Sequence, residues 1–382
     1  MLYFSKFKSL TVIIVSFLGI IFAFPNLLSS EKIDSLPSIF PSKQINLGLD
    51  LRGGSHLLIE VDASVIALER IDNIYNDLRL ELRKENISLA EIDQRNDQIV
   101  LSLSNLSSAE KLRDILEDLS QDIVGINPSV QNNQELDVVE VTQNSYVIKL
   151  TEAAIDSLTR RSVDQSIEIV RRRIDELGTK EPSIQRQGKS RIIIQVPGLD
   201  NPQRLKELLG TTAKMTFHLM DPLADVDDIP RSSMLLYSRD NNQTPYIVMR
   251  RSMIGGDNLV DAQPGFDSQT NRPVVNFRFD GQGARKFGKI TTDNVGKPFA
   301  IVLDNEVISS PIINEPILGG SGMISGSFTV QEANDLAILL RAGALPAPLI
   351  ILEERTVGPD LGADSIKAGK IAALLGLLFV LL

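Results

Sequence analysis

The chain has no cysteine among its 382 residues and only two histidines, His56 and His218. The first absence excludes disulfides, thiolate-ligated zinc or iron–sulfur centres, and thiol nucleophiles. The second leaves imidazole chemistry thin, since neither histidine has a metal-ligand spacing and both fall on predicted strands. No G-x-S-x-G, H-E-x-x-H or Walker A pattern occurs, which removes the usual hydrolase and nucleotide-binding templates. Positive charge is also in deficit: 39 Lys and Arg face 49 Asp and Glu, a net charge of −10 that argues against a nucleic-acid partner. No acid–base or nucleophilic constellation emerges, so an enzyme, a metal and a cofactor are not expected.

Two local motifs invite a ligand reading and lose it. "GGSGMISG" at 319–326 looks like a phosphate cradle, but no helix starts on it as phosphate binding requires, and a hairpin loop is expected instead. "RRRIDELG" at 171–178 belongs to a helix whose arginines are nearly balanced by Asp164, Glu168, Asp175 and Glu176. With Glu168 four residues before Arg172, it reads as a solvated face laced by ion pairs.

What is present begins at the ends. No charged residue lies between Ser9 and Ser30, with Lys6 and Lys8 before and Glu31 and Asp34 after. The run is long enough to cross a hydrocarbon core of about 30 Å, and the flanking charges place the N-terminus in the cytoplasm. It exceeds the apolar stretch of a signal peptide and lacks a clean A-x-A site, so an uncleaved anchor is expected over 10–29. At the other end, Ile371 to Leu382 is purely apolar. Twelve residues reach about 18 Å, which predicts the start of a second transmembrane helix, over 366–382, cut off partway.

Between the ends the chain repeats itself. "SHLLIEV" at 55–61 reads as a strand, followed by Asp62 as N-cap and a helix with Val65, Leu68, Ile71, Tyr75, Leu78 and Leu82 on one face. A strand pair turning at Asn96–Asp97 and a helix containing "KLRDIL" follow. From Tyr146 the same order returns: the strand "YVIKL", Thr151 as N-cap, a long helix closed by Gly178, a strand pair turning at Gly188–Lys189, and a helix containing "RLKELL". "AKMTFHLM" is expected to be its last strand. The plan β-α-β-β-α-β twice, about 55–130 and 144–220, predicts an α+β fold of duplicated ferredoxin-like units.

Residues 221–271 turn irregular and rich in Asp, Asn, Gly and Pro, marking a boundary. Beyond them a second α+β lobe is predicted, with strands "VVNFRF", "PFAIVL" and "EVISSPII", a turn at Asp304–Asn305, and a helix opened by the capping box Thr329–Glu332. Gly343, Pro346 and Pro348 end that helix, and "LIILEE" resumes as a strand of the first lobe. "GLDLRGG" at 48–54 sits between the anchor and the first strand. Its glycines allow a sharp turn there, with Asp50 and Arg52 able to lock it.

Taken together, "LGLDLRGG", "RRRIDELGTKEPSIQRQG", "RIIIQVPG", "GTTAKMTFHL", "LLRAGALPAPL" and "EERTVGPDLGADSI" resemble the SecD family of the bacterial protein-export machinery. The resemblance covers the chain almost end to end and is loosest over roughly 221–325. It implies an inner-membrane protein, multi-pass when complete, with cytoplasmic residues 1–9 and a large periplasmic domain. That domain would comprise a base (43–220), an inserted head (221–344) and a return to the base (345–362). The implied partners are SecF, the SecYEG channel, YajC, membrane lipid and an unfolded preprotein. The implied work is export driven by the proton-motive force as the head swings on the base. Mapped onto this chain, Gly48, Asp50, Arg52, Gly53 and Gly54 form the signature at the anchor–base joint. Asp221, Pro222, Gly343, Pro346 and Pro348 are the hinge candidates. An exposed substrate-contact surface is expected around Phe277, Phe279, Gly319, Gly320 and Gly322. The family's proton pathway uses an acidic residue deep in a later transmembrane helix, and no such helix lies in this sequence. A non-motor scaffold anchored in the membrane is the alternative with the same exported fold.

Overall fold

The computed structural model describes residues 6–27, 53–120, 134–142, 144–178, 182–199, 201–222, 224–230, 232–239 and 244–381. They fall into two units, one holding the residues up to Gly53 and from Gly358 onward, the other Gly54–Val357. The first unit opens with helix α1 (Lys6–Ala23), which passes into a 3-10 turn at Phe24–Leu27. Pro25 has no N–H to extend the ladder, and its ring crowds the preceding turn. The helix therefore stops short of the expected residue 29.

The second unit begins with β1 (Gly54–Val61), α2 (Ala63–Lys84), β2 (Leu89–Arg95), β3 (Gln98–Leu103) and α3 (Ala109–Leu119). It continues with β4 (Leu136–Thr142), β5 (Ser145–Leu150), α4 (Glu152–Glu176), β6 (Ser183–Gln187), β7 (Arg191–Pro197) and α5 (Pro202–Gly210). Asp62 and Thr151 cap α2 and α4, each side chain accepting from a backbone N–H of the first turn. β4 was not foreseen: its sequence, LDVVEVT, follows a polar junction and is exposed along most of its length.

The remaining elements are β8 (Met215–Leu219), β9 (Ser233–Ser238), β10 (Pro245–Met249), β11 (Ile254–Gly255), β12 (Leu259–Phe266), β13 (Pro273–Phe279) and α6 (Gly281–Asp293). After them come β14 (Phe299–Leu303), β15 (Glu306–Ser309), β16 (Ser321–Ser325), α7 (Val330–Ala342) and β17 (Leu349–Val357). A six-stranded sheet runs β10-β9-β15-β14-β8-β11, and a three-stranded sheet runs β12-β13-β16. β8 thus pairs with β14 and serves the second lobe, rather than closing the second repeat as its sequence position suggested. Asp304 and Asn305, both at positive φ, make the tight β14–β15 turn. Between the two sheets the rings of Phe217, Phe277, Phe279, Phe287 and Phe299 pack with centroid separations from 5.2 to 6.3 Å.

The first lobe has two four-stranded antiparallel sheets, β2-β3-β5-β4 and β17-β1-β7-β6. The repeats seen in the sequence are therefore not separate units, because β1 lies in the sheet of the second repeat and β5 in that of the first. The long helices explain the exchange. Ile66, near the start of α2, packs in the core under β1 and β7, whereas Ile71, Ile74, Leu78 and Leu82 pack under β3 and β5. α4 makes the reverse journey, from Ala154 in one core to Val163, Val170 and Ile174 in the other. Helices of 22 and 25 residues span about 33 and 38 Å, enough to carry the chain from one sheet to the next.

β17 leads into α8 (Pro359–Leu381), which begins before the expected residue 366 and carries Asp364, Lys367 and Lys370. No helix among the described residues is long and apolar enough to cross a membrane. The charge-free stretch of α1 from Ser9 to Ala23 reaches about 22 Å, and that of α8 from Ile371 to Leu381 about 16 Å.

Candidate functional site: the joint between the two lobes

Two passages of chain link the lobes. The outgoing one, Thr211–Lys214, joins α5 to β8, and the returning one, Gly343–Pro348, joins α7 to β17. Leu345 N–H donates to Thr212 O at 2.8 Å, so the passages run in contact. Asp304, at the β14–β15 turn, grips the outgoing passage. Its carboxylate accepts from Ala213 N–H at 2.9 Å, from Lys214 N–H at 2.8 Å and from the Thr212 hydroxyl. Ala213 is held at φ 61°, a conformation few non-glycine residues adopt.

At the centre lies Arg173 of α4, fully buried. Its Nη1 donates to Leu208 O and Thr211 O, both at 2.5 Å. Its Nη2 donates to Thr212 O at 3.1 Å and to Gly343 O at 3.2 Å. Burial pulls the guanidinium down to about 10, and nearby Asp304 acts against that shift; the group remains a cation at neutral pH. Around it, three ion pairs join the lobes: Arg204 of α5 to Asp335 of α7 (2.6 Å), Arg341 of α7 to Glu176 of α4 (2.6 Å), and Lys214 to Glu69 of α2 (2.5 Å). Arg341 also donates to Ala262 O of β12 at 2.8 Å. The two hydrophobic cores meet at Leu177, which packs against both, and at α5, where Leu208 faces one core and Leu205 and Leu209 the other.

Sequence reasoning took Arg173 for one of several solvated arginines. Its helical phase carried the contrary signal: Val163, Ser166, Val170, Arg173 and Leu177 are separated by three, four, three and four residues, one continuous face. Arg173 is the charged residue placed where an apolar one belongs.

The expected site residues scatter. Gly48, Asp50 and Arg52 lie outside the described residues; Gly53 and Gly54 have φ of 72° and 134°. Gly343 and Pro346 lie on the returning passage, as does Pro348, whose carbonyl accepts from Asp62 N–H at 3.2 Å. Asp221 and Pro222 do not belong to the joint. They follow β8 within the second lobe, where Asp221 N–H donates to Ile247 O at 3.0 Å and its carboxylate accepts from Ser233 Oγ at 2.6 Å. The outgoing passage lies about ten residues earlier, hidden in an unbroken-looking "GTTAKM".

Phe277 and Phe279 are not exposed as expected: both rings are buried in the aromatic cluster. Gly322 makes room for the Phe277 ring, which a Cβ would meet at 2.4 Å. Gly320, at φ 66°, lies against Ala284 of α6, while Gly319 is open to space. The three-stranded sheet does offer an open groove of about 420 Å³, lined by Asp261, Gln263, Asn276, Arg278 and Ser321 together with Phe277, Gly322 and Met323. Among the described residues no cluster of His, Asp and Glu could hold a metal ion.

Three families match the chain. The SecD/SecF GG motif covers residues 38–65, the N-terminal P1 domain of protein translocase subunit SecDF covers 163–222, and the SecDF P1 head subdomain covers 233–347. The protein translocase subunit SecD of Rickettsia conorii (strain ATCC VR-613 / Malish 7) is 41% identical over 382 residues, covering 98% of this chain and 70% of that protein. SecD of Acetobacter pasteurianus (strain NBRC 105184 / IFO 3283-01) is 42% identical over 383 residues, covering 99% and 71%. The crystal structure of SecDF in its super-membrane-facing form is 25% identical, covers 98% of this chain and 39% of that one, and superposes with a TM-score of 0.49. With two such relatives matched along nearly its whole length, the chain belongs to the SecD family of protein translocase subunits.

Proposed function

We propose that this SecD chain is the periplasmic arm of an export motor in the bacterial inner membrane. Working with SecF beside the SecYEG channel, it draws an emerging unfolded preprotein outward. Its base comprises two ferredoxin-like units that have exchanged their first strands, and its head moves on that base. The proton-motive force supplies the work, through an intramembrane carboxylate of the assembly. Each proton crossing 100 mV releases about 2.3 kcal/mol, so a few protons suffice to re-seat a lobe held by weak ion pairs.

The observation that carries this reading is the joint itself. A lobe of more than a hundred residues is linked to the rest by two adjacent passages, with three partly exposed ion pairs around them. That construction suits a domain that changes its seating.

The test uses the absence of cysteine. Glu176→Cys and Arg341→Cys place two thiols across the joint, and a flexible, cleavable dimaleimide then ties head to base. In cells whose SecD carries this sequence, cross-linking is expected to stop export of a secreted reporter, and cleaving the linker to restore it. Undiminished export with the head tied would remove the moving-head reading and favour the scaffold.

A further inference from the structure

We propose that Arg173 is the pin on which the head seats, and that the three ion pairs around it are latches that exchange when the head moves. The inference rests on the moving-head reading and names the parts that perform the movement.

The guanidinium receives two helix ends at once. Leu208 lies in the last turn of α5 and Thr211 is its C-cap, while Gly343 is the C-cap of α7. A helix C-terminus carries about half a negative charge on its unpaired carbonyls, so two of them together match one cation. Arg173 accordingly has no carboxylate among its hydrogen-bond partners; four backbone carbonyls do that work. Three of those carbonyls belong to the outgoing side and one to the returning passage. Neither can leave without abandoning the other at the same buried cation, which is the geometry of a pivot. A buried charge without such partners is strongly unfavourable, so this contact persists whichever way the head faces. Among the described residues the Nε–H of Arg173 has no hydrogen-bond partner.

The latches have the opposite character. Lys214 and Glu69 are 60% and 46% exposed at their side chains, Arg341 and Glu176 27% and 38%, and Arg204 and Asp335 29% and 21%. Lys214–Glu69 is exposed and the other two pairs are partly so; ion pairs reached by solvent contribute little and weaken with salt. They tie the head to three different base helices, α2, α4 and α5, so a rotation about Arg173 breaks and remakes them one by one.

The test labels the full chain with spin probes at Gln185→Cys on β6 and Ser268→Cys in the β12–β13 turn, both exposed. Pulsed dipolar spectroscopy is run in low and high salt, with the melting temperature recorded alongside. The wild-type background is expected to give one distance in low salt and a second, discrete one in high salt. Glu69→Gln combined with Glu176→Gln and Asp335→Asn should show the second distance without added salt. Arg173→Met and Arg173→Lys should lose discrete distances and show one broad distribution, because lysine keeps the charge but cannot reach four carbonyls. Sharp distances in a folded Arg173 variant with a lowered melting temperature would make Arg173 a stabilising residue and overturn the pin. If both variants fail to fold, hydrogen exchange on the unaltered joint decides. The Leu345 amide, bonded to Thr212, must stay protected in high salt while the distance changes; its loss with the movement overturns the pin. A single distance in every salt and in the latch triple variant would instead defeat the moving head itself, and the latches with it.

Discussion

Gly54 and Val357 are antiparallel partners at one end of the β1–β17 pair, and Val61 and Leu349 are partners at the other. At the second end Asp62 N–H reaches Pro348 O, so the pair begins at the joint where the head returns. β17 therefore runs from that joint to the residue before Gly358, with one bulge at Leu352 where its register against β1 shifts. At about 3.3 Å per residue, its nine residues cover about 30 Å.

The start of β1 carries the first prediction. Gly53 adopts φ 72°, which a β-branched residue enters only with strain. Gly53→Val should impair export of a secreted reporter while leaving the chain folded as judged by circular dichroism. Normal export would strip the motif of a functional role.

Gly319 and Gly320 should part company. A Cβ at Gly320 would lie 2.4 Å from Ala284 Cβ and 2.8 Å from its Cα, on a backbone already at positive φ, whereas nothing lies within 4 Å of Gly319. Overpacking of this kind makes Gly320→Ala destabilising by about 1–3 kcal/mol, with Gly319→Ala near neutral, as read by urea unfolding. Equal effects would show that the loop is not packed against α6 in this way.

Arg70 and Glu135 form a two-bonded ion pair at 2.7 and 2.8 Å, and Glu135 is almost wholly buried. Hydrogen bonding to Glu135 raises Arg70 above its usual range, against the burial that lowers it; without Glu135 the half-buried guanidinium loses that compensation. Glu135→Ala should then cost about 3 kcal/mol, measured by chemical denaturation. The double change Arg70→Met with Glu135→Leu should recover most of it, and a double variant no more stable than the single would contradict this account.

His218 should give the head a pH response. Its Nδ1–H donates to Met249 O at 2.8 Å, and Nε2 lies 2.9 Å from Thr216 Oγ1, an arrangement that suits the neutral ring. Burial holds its pKa below the usual value of 6.5, despite the Met249 hydrogen bond. The unfolded chain therefore takes up this proton first as pH falls. Stability is full above about 6.5 and declines below it, toward the folded pKa. Melting temperatures between pH 7 and pH 5 should fall, and His218→Gln should flatten part of that slope; an unchanged slope would assign it to other groups.

Local features were legible because local chemistry decides them. Asp62 and Thr151 start helices because a side-chain oxygen can satisfy a first-turn N–H. The box at Thr329 and Glu332 closes as its spacing requires, and Asp304–Asn305 turns because those residues tolerate positive φ. Membership of the SecD family was equally legible, carried by ordered motifs along the whole chain. "KLRDIL" and "RLKELL" revealed the repeated order of elements, since periodicity belongs to the sequence.

Which strand pairs with which did not follow from that order. β1 and β5 exchange sheets because α2 and α4 are long enough to carry the chain between cores, and β8 joins the second lobe because β14 lies beside it. The rings of Phe277 and Phe279 are buried because a facing sheet and α6 close over them, which no period along the strand can announce. Arg173 shows the same division. Its place on the apolar face of α4 was written in the sequence, but the carbonyls that make that place tolerable for a cation come from Leu208, Thr211, Thr212 and Gly343. Those residues lie up to 170 positions away in the chain. Helix phase and capping depend on neighbours within a turn; the partner of a buried charge depends on which distant helix ends the fold brings to it.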